Sequence, residues 1–272
     1  MVVDYRLSFR PHACKVAAKA AKAAGLVARL SKCRHGLPPK AAVVATRAVV
    51  EAQVHYALEA WWPGPVRTRL GRTHGTGATA VAAVRAAVPA WRTTPTASVR
   101  ATAGRPPTLV VAVGRKKAYV RRLLRQGPGH PARDRLLSGK DTRLTRTPDG
   151  PIAQQWYRQN SSLACGQQLQ PFRYNPVELA LPRGTLHKLV ADRTGHGFFR
   201  SYFERFKPDA PELAAQATCA CGSPLEPSHA LRCPGLKGHG RRPPLWGRTK
   251  KWLNDVEDFY NHQDYILENY SP

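Results

Sequence analysis

Four potential metal ligands lie close together near the C-terminal end of this sequence, and they constrain its fold more than any other feature. Cys219 and Cys221 are two residues apart. In an extended segment both thiols point the same way, and Gly222 then allows the chain to turn back. His229 and Cys233 are four residues apart, which places both on one face of a short helix. The spacing therefore predicts a small closed loop with four converging side chains.

The ligand types predict a structural zinc site. Thiolate and imidazole donors suit tetrahedral Zn²⁺, and four protein ligands leave no open position for a substrate water. The alternative is three free thiols and a surface histidine in a reducing compartment, since Cys-x-Cys is not among the commoner zinc spacings. The predicted ligands are Cys219, Cys221, His229 and Cys233.

Two short helices are predicted just before the ligands. Leu186, Leu189 and Val190 mark the first, and a stripe of aromatic residues marks the second. A Thr-Gly-His-Gly turn over 194–197 joins them. We interpret the stripe as the hydrophobic core of the zinc module rather than as a surface for stacking bases. Its members are Phe198, Phe199, Tyr202, Phe203 and Phe206.

The charge balance indicates a polyanionic partner. The 272 residues include 43 Lys and Arg but 17 Asp and Glu, which gives a net charge of +26. A field of this sign favours nucleic acid first and an anionic membrane surface second. Codon composition is the alternative source of so many arginines, because the sequence is also rich in alanine, glycine and proline.

The remaining cysteines and the hydropathy predict an intracellular protein. Cys14, Cys33 and Cys165 have no partner at a meaningful spacing, so no disulfide framework is expected. The N-terminus lacks the apolar region of a signal peptide, and no run approaches 18 apolar residues. We therefore expect no membrane partner, and we expect an intracellular, nuclear location.

The first 103 residues predict three helices separated by prolines. Helical periodicity appears over 12–30, from about Lys40 to Trp61, and over 78–88. The first helix carries a row of cations that could follow a phosphate backbone, or could equally form a solvated face. These candidate nucleic-acid contacts are Lys15, Lys19, Lys22 and Arg29.

The middle of the chain, 104–175, predicts a basic linker that is partly disordered. Residues 101–150 contain twelve basic and three acidic side chains, with little apolar surface to bury. One helix is expected from Lys116 to Arg125. Further candidate phosphate contacts here are Arg115, Lys116, Lys117, Arg121 and Arg122. The segment 241–272 differs, since it predicts an acidic amphipathic helix.

Two stretches resemble fungal non-LTR retrotransposon reverse transcriptases. The motifs LSFRPH, RHGLPP, EAWWPG and VPAWRTTP, in that order, are similar to the segment that follows the polymerase palm and forms the thumb. The stretch ELALPRGTLHKLVADRTGHGFFRSYFERF, with the Cys and His residues after it, resembles the C-terminal region of the same polyproteins, including their zinc-binding module. Together the two stretches cover about half to two-thirds of the chain.

The residue patterns and the resemblance together predict a mainly α protein with four parts. These are an N-terminal three-helix, thumb-like bundle over 1–103, the basic linker over 104–175, a small helical domain with a zinc knuckle over 176–240, and the acidic tail over 241–272.

The catalytic centres of that family have no counterpart in this sequence. A reverse transcriptase palm needs paired aspartates to hold two divalent ions, and no neighbouring aspartate pair occurs. An RNase H domain would need its own carboxylates, but 101–175 contains only Asp134, Asp141 and Asp149. We therefore expect a truncated, non-catalytic protein with no small-molecule substrate that binds RNA or DNA backbones. The alternative is a non-functional remnant, or a protein-binding protein whose charge reflects composition.

Overall fold

The computed structural model describes residues 9–32, 36–61, 76–138, 177–219, 221–229, 232–233, 247 and 249–269. Helices account for most of these residues, and the described part contains no β-strand. A single isolated antiparallel bridge joins Thr218 and Pro224 there. The prediction of a mainly α fold is confirmed.

The N-terminal part contains one long helix and a second helix that is interrupted. The elements are α1 (Arg10–Lys32), α2 (Pro39–Ala45), a π-helical segment (Thr46–Glu51), α3 (Ala52–Val54) and α4 (Leu58–Trp61). Pro39 begins α2, where its missing N–H costs nothing. A turn over 55–57 divides the helix predicted from Lys40 to Trp61, and Ala57 has a φ of 48° there.

The long helix α1 packs against α5 (Thr76–Ala87) and against the π-helical segment. Small side chains dominate this contact, so the helix backbones can approach closely. Its core consists of Ala20, Ala24, Val27, Val50, Val54 and Ala83.

The region predicted as a linker contributes ordered helices to the described part of the chain. After α6 (Thr96–Thr102), α7 spans Thr108–Leu124 and α8 spans Pro131–Leu137. Helix α7 begins eight residues before the helix predicted from Lys116. Its first half is apolar, and Ala112 packs there with Ala13 and Leu58. Residues 139–175 of the predicted linker lie outside the described residues.

The described residues of the C-terminal part form a 3₁₀ turn (Val177–Ala180) and four helices. These helices are α9 (Arg183–Thr194), α10 (Arg200–Phe206), α11 (Pro211–Gln216) and α12 (Lys250–Asn269). Helix α9 ends at Gly195, whose φ of 68° lies in the left-handed region that glycine adopts without a steric penalty. The two helices predicted on either side of the 194–197 turn are therefore observed as α9 and α10.

One hydrophobic core joins the N-terminal and C-terminal parts. Helices α2, α5 and α6 supply one side of it, and α9 and α12 supply the other. Cys233 is buried in the same cluster, and Cys219 and Cys221 pack against its edge. The metal-ligand cysteines are thus part of the main core. Its largest side chains include Leu179, Leu181, Leu186, Leu189, Trp252, Phe259 and Tyr260.

Two arginines reinforce this packing with polar contacts. The guanidinium of Arg183 donates to the carbonyls of Ala86 and Ala87, at 3.2 Å and 3.3 Å, and so satisfies acceptors that the end of α5 leaves unpaired. It also donates to the Leu37 carbonyl at 3.2 Å. Arg105 forms a two-point ion pair with Glu51, which is buried. These contacts link segments that are distant in sequence.

Candidate metal centre

The first two ligands lie in a tight turn after α11. The Cys219 N–H donates to the Ser223 carbonyl at 2.8 Å, and the Gly222 N–H donates to the Cys219 carbonyl at 2.9 Å. Gly222 has a φ of 81°, so its lack of a side chain is what permits the turn. This arrangement brings the Cys219 and Cys221 thiols to the same side, as the spacing predicted.

The other two ligands lie in a segment with two consecutive turns, each closed by a hydrogen bond between residues three positions apart. The His229 N–H donates to the Glu226 carbonyl, and the Arg232 N–H donates to the His229 carbonyl, each at 2.8 Å. Ser228, immediately before His229, has a φ of 65°, which lies in the left-handed region. The sequence predicted a short helix for His229 and Cys233. Their convergence is observed, but the described hydrogen bonds are those of 3₁₀-type turns.

The four ligand atoms are close enough to hold one metal ion. All of them lie within 4.8 Å of one another. The Sγ atoms of Cys219 and Cys233 are 3.7 Å apart, and Cys221 Sγ is 3.5 Å from His229 Nε2. A tetrahedron built from typical zinc bond lengths has S···S and S···N edges of about 3.8 and 3.6 Å. Both measured pairs already have the required separation.

The pKa values of Cys219 and Cys221 are shifted in opposite directions in the metal-free protein. Hydrogen bonding to the Ser223 backbone lowers the pKa of Cys221 to about 6. Burial raises the pKa of Cys219 to about 11, and contacts with Cys233 contribute to that rise. The lowered pKa favours the thiolate of Cys221, which is the form that binds a metal, whereas the raised pKa favours the thiol of Cys219.

The buried carboxylate of Asp192 accepts a hydrogen bond from the turn that carries the ligand His229. Asp192 on α9 accepts a hydrogen bond from the Ser228 N–H at 3.1 Å, next to the ligand His229. Its other oxygen accepts from the Tyr260 hydroxyl of α12 at 2.5 Å. Burial raises the pKa of Asp192, and these two hydrogen bonds oppose that shift. Helix α12 thereby contacts the carboxylate that positions the ligand loop.

Neither Asp192 nor Tyr260 was predicted from the sequence to belong to this site. The available signal was a single acidic residue within the apolar helix LHKLVAD, where a buried charge requires a partner. The neighbouring Arg193 is also buried, and its guanidinium pairs with Glu178 at 3.2 Å. The two charged side chains at the end of α9 thus both have identified partners.

The cations predicted on α1 lie on its solvent-facing surface. Lys15, Lys19, Lys22 and Arg29 are all exposed, and we refer to them as the cationic face. Leu26, which is also exposed, occupies the next helical position between Lys22 and Arg29.

The cations predicted on α7 differ in their exposure to solvent. Arg121 and Arg122 are exposed, and Lys117 is half-buried. Arg115 donates to the His55 carbonyl at 2.7 Å. Lys116 is only 1% exposed, so its assignment as a phosphate contact was wrong. The reason is that α7 packs against α4 and α5, which turns the Lys116 side of the helix into the protein.

None of the helices in the described part of the chain is long and apolar enough to cross a bilayer. Comparisons of the chain with protein-family models, curated proteins and solved structures find no match. The resemblance to retrotransposon reverse transcriptases therefore stays a prediction.

Proposed function

We propose that this protein is a helical nucleic-acid-binding protein, stabilised by a structural zinc ion, which contacts RNA or DNA backbones in the nucleus without catalysis. The retroelement resemblance supports this proposal, because the sequence has segments that resemble the thumb and the zinc module but has no neighbouring aspartate pair. The observation that carries it is the cationic face of α1, where four exposed cations lie along one helix.

Local electrostatics favour an anionic partner at this face. The only acidic side chains in 9–61 are Glu51 and Glu59. Glu51 is buried in its pair with Arg105, and Glu59 lies 3.8 Å from Arg122. Both carboxylates are therefore directed to arginines outside this segment. A row of cations in a field of the same sign attracts phosphates and releases the counterions that surround them.

Zinc is the metal that best suits the four ligands. Three thiolates and one imidazole are soft donors, which favour zinc over calcium or magnesium. The three cysteine ligands belong to the protein's main core or pack against it, so a bound ion would stabilise the fold directly. Four protein ligands leave no position for a reacting water, and the proposed role is consequently structural.

The proposal is tested by comparing two triple variants of equal charge. One replaces Lys15, Lys19 and Lys22 by Gln. The matched control makes the same change at Lys207, Lys250 and Lys251, which are exposed on α12 and beside α10. Both variants have the net charge reduced by three.

Binding to RNA and to DNA is then measured over a salt series. The cationic-face variant should lose affinity, and its log–log salt slope should fall by roughly 0.7 to 0.9 for each phosphate contact removed. The control should keep a slope close to that of the unmodified protein. Equal losses in the two variants would show that affinity follows total charge and that α1 is not a binding surface. Absence of salt-dependent binding by the unmodified protein would refute the function itself.

A further inference from the structure

A groove of about 530 Å³ runs between α1 and the helix that faces it. One wall is formed by α1 residues one turn apart, and the other by residues of the π-helical segment, α3 and the following turn. Seven residues of α1 separate the ends of the first wall, so the groove is roughly 10 Å long. It opens to solvent beside Lys15 and Lys19 of the cationic face, both of which are exposed.

Two of the four residues of the cationic face line this groove. Lys15 and Lys19 are one helical turn apart on its rim, a rise of about 6 Å, which is comparable to the step between successive phosphates of one strand. None of the nine lining residues is acidic. The rim is therefore suited to two adjacent phosphate groups, whereas Lys22 and Arg29 lie beyond its end.

The opposite wall presents apolar and aromatic surface to solvent. Val49 is 42% exposed and Tyr56 is 66% exposed, which is unusual for side chains of their size. Tyr56 lies in the turn over 55–57, beside the left-handed Ala57, and this turn holds the ring outside the core. The floor includes Val16, and Gln53 contributes an amide whose Oε1 has no hydrogen-bond partner among the described residues.

We propose that this groove binds single-stranded nucleic acid, with one base stacked on Tyr56 and the flanking phosphates held by Lys15 and Lys19. The proposal rests on the nucleic-acid-binding function proposed above and adds strand preference and a base contact to it. An aromatic ring beside a cationic rim is the combination that single-stranded binding surfaces use, because every base has a face that stacks. A duplex keeps its bases inside the helix and can offer the groove only phosphates.

Other anionic occupants would use the groove differently. An acidic amphipathic peptide would need the two lysines and the apolar floor, but not an aromatic ring in particular. Anionic lipid headgroups would engage the lysines and would gain nothing from stacking. Dependence on an aromatic ring at position 56 is thus the property that separates single-stranded nucleic acid from these alternatives.

The experiment measures binding of the full chain to a short single-stranded oligonucleotide and to a duplex of the same length, at constant salt. Tyr56→Ala should weaken single-strand binding about tenfold, the scale of losing one base–aromatic stack, and should change duplex binding less than about twofold. Tyr56→Trp should restore single-strand affinity, whereas Tyr56→Leu, which keeps apolar area, should not. Because Tyr56 is mostly exposed, circular dichroism of all three variants should match that of the unmodified protein.

A second, matched comparison tests the rim. Lys15→Gln with Lys19→Gln should reduce single-strand affinity more than Lys22→Gln with Arg29→Gln, although each pair removes two charges. Equal affinity of Tyr56→Ala and the unmodified protein for the single strand would overturn the groove proposal while leaving general backbone binding intact. Tighter binding to anionic vesicles or to an acidic peptide than to the single strand, kept in Tyr56→Leu but lost when Lys15 and Lys19 are replaced by Gln, would also overturn it. Failure of the unmodified protein to bind either nucleic acid would instead refute the proposed function.

Discussion

Replacing Tyr260 by Phe tests whether helix α12 is coupled to the metal-binding turn. The substitution keeps the ring, which is buried in the main core, and removes only the hydroxyl that donates to Asp192 at 2.5 Å. Asp192 would then keep the Ser228 N–H as its described hydrogen-bond donor. A hydrogen bond to a charged, buried partner contributes about 1.5 to 3 kcal/mol, so we expect a loss of about 2 kcal/mol in the free energy of unfolding.

Thermal and urea unfolding measure this loss. For a chain of this size, 2 kcal/mol corresponds to a decrease of about 4 to 8 °C in Tm. Zinc affinity should also fall by about tenfold, because Asp192 hydrogen-bonds the backbone next to the ligand His229. Loss of a hydrogen bond that orients a metal ligand typically weakens metal binding on this scale. The control is Tyr56→Phe, whose ring is mostly exposed and which should change stability by less than about 0.5 kcal/mol.

Identical melting of the two variants would refute the coupling. It would mean that α12 is held by apolar contacts alone, and that the Asp192 carboxylate is satisfied without the tyrosine. A loss of stability with unchanged zinc affinity would separate the two effects. In that case Asp192 would stabilise the packing of α12 without positioning the ligands.

Two further predictions concern the metal and the response to acid. Elemental analysis of the purified protein should find about one zinc per chain. The double variant Cys219→Ser with Cys221→Ser should lose this zinc, whereas the control Cys14→Ser, at an exposed cysteine, should keep it. Unchanged zinc content in the double variant would contradict the site. Burial, with Arg115 and Arg100 nearby, lowers the pKa of His55 from 6.5 to about 4. The unfolded chain therefore takes up this proton first, so stability present above pH 6.5 should be lost as the pH falls towards 4, by about 3 kcal/mol. Urea unfolding at several pH values should show a weaker pH dependence for His55→Gln, and an unchanged dependence would contradict this assignment.

Local sequence signals predicted much of the helical structure. The periodicity of α1 and the glycine that ends α9 are both determined by nearby residues, and the structure places the elements there. The convergence of the four metal ligands also follows from short spacings, since a turn at Gly222 is enough to bring the first pair around. Such features depend on few distant contacts, which is why the sequence was informative about them.

The features that were missed depend on tertiary packing. The burial of Lys116 follows from which side of α7 meets α4 and α5, and a helix with cations on most faces does not indicate that side. The π-helical segment Thr46–Glu51 has no recognised sequence signature. The Asp192–Tyr260 contact joins residues 68 positions apart, and each residue alone resembles an ordinary surface or core position.

The composition of the main core has a consequence for synthesis of the chain. Val43 and Val256 belong to the same buried cluster, although 213 residues separate them. At a translation rate of about 5 to 20 residues per second, α12 emerges roughly 10 to 40 s after α2. During that interval the apolar surfaces of α2 and α5 lack their native cover. Part of the future core therefore stays exposed to solvent for this period, and chaperones or other chains can reach that surface.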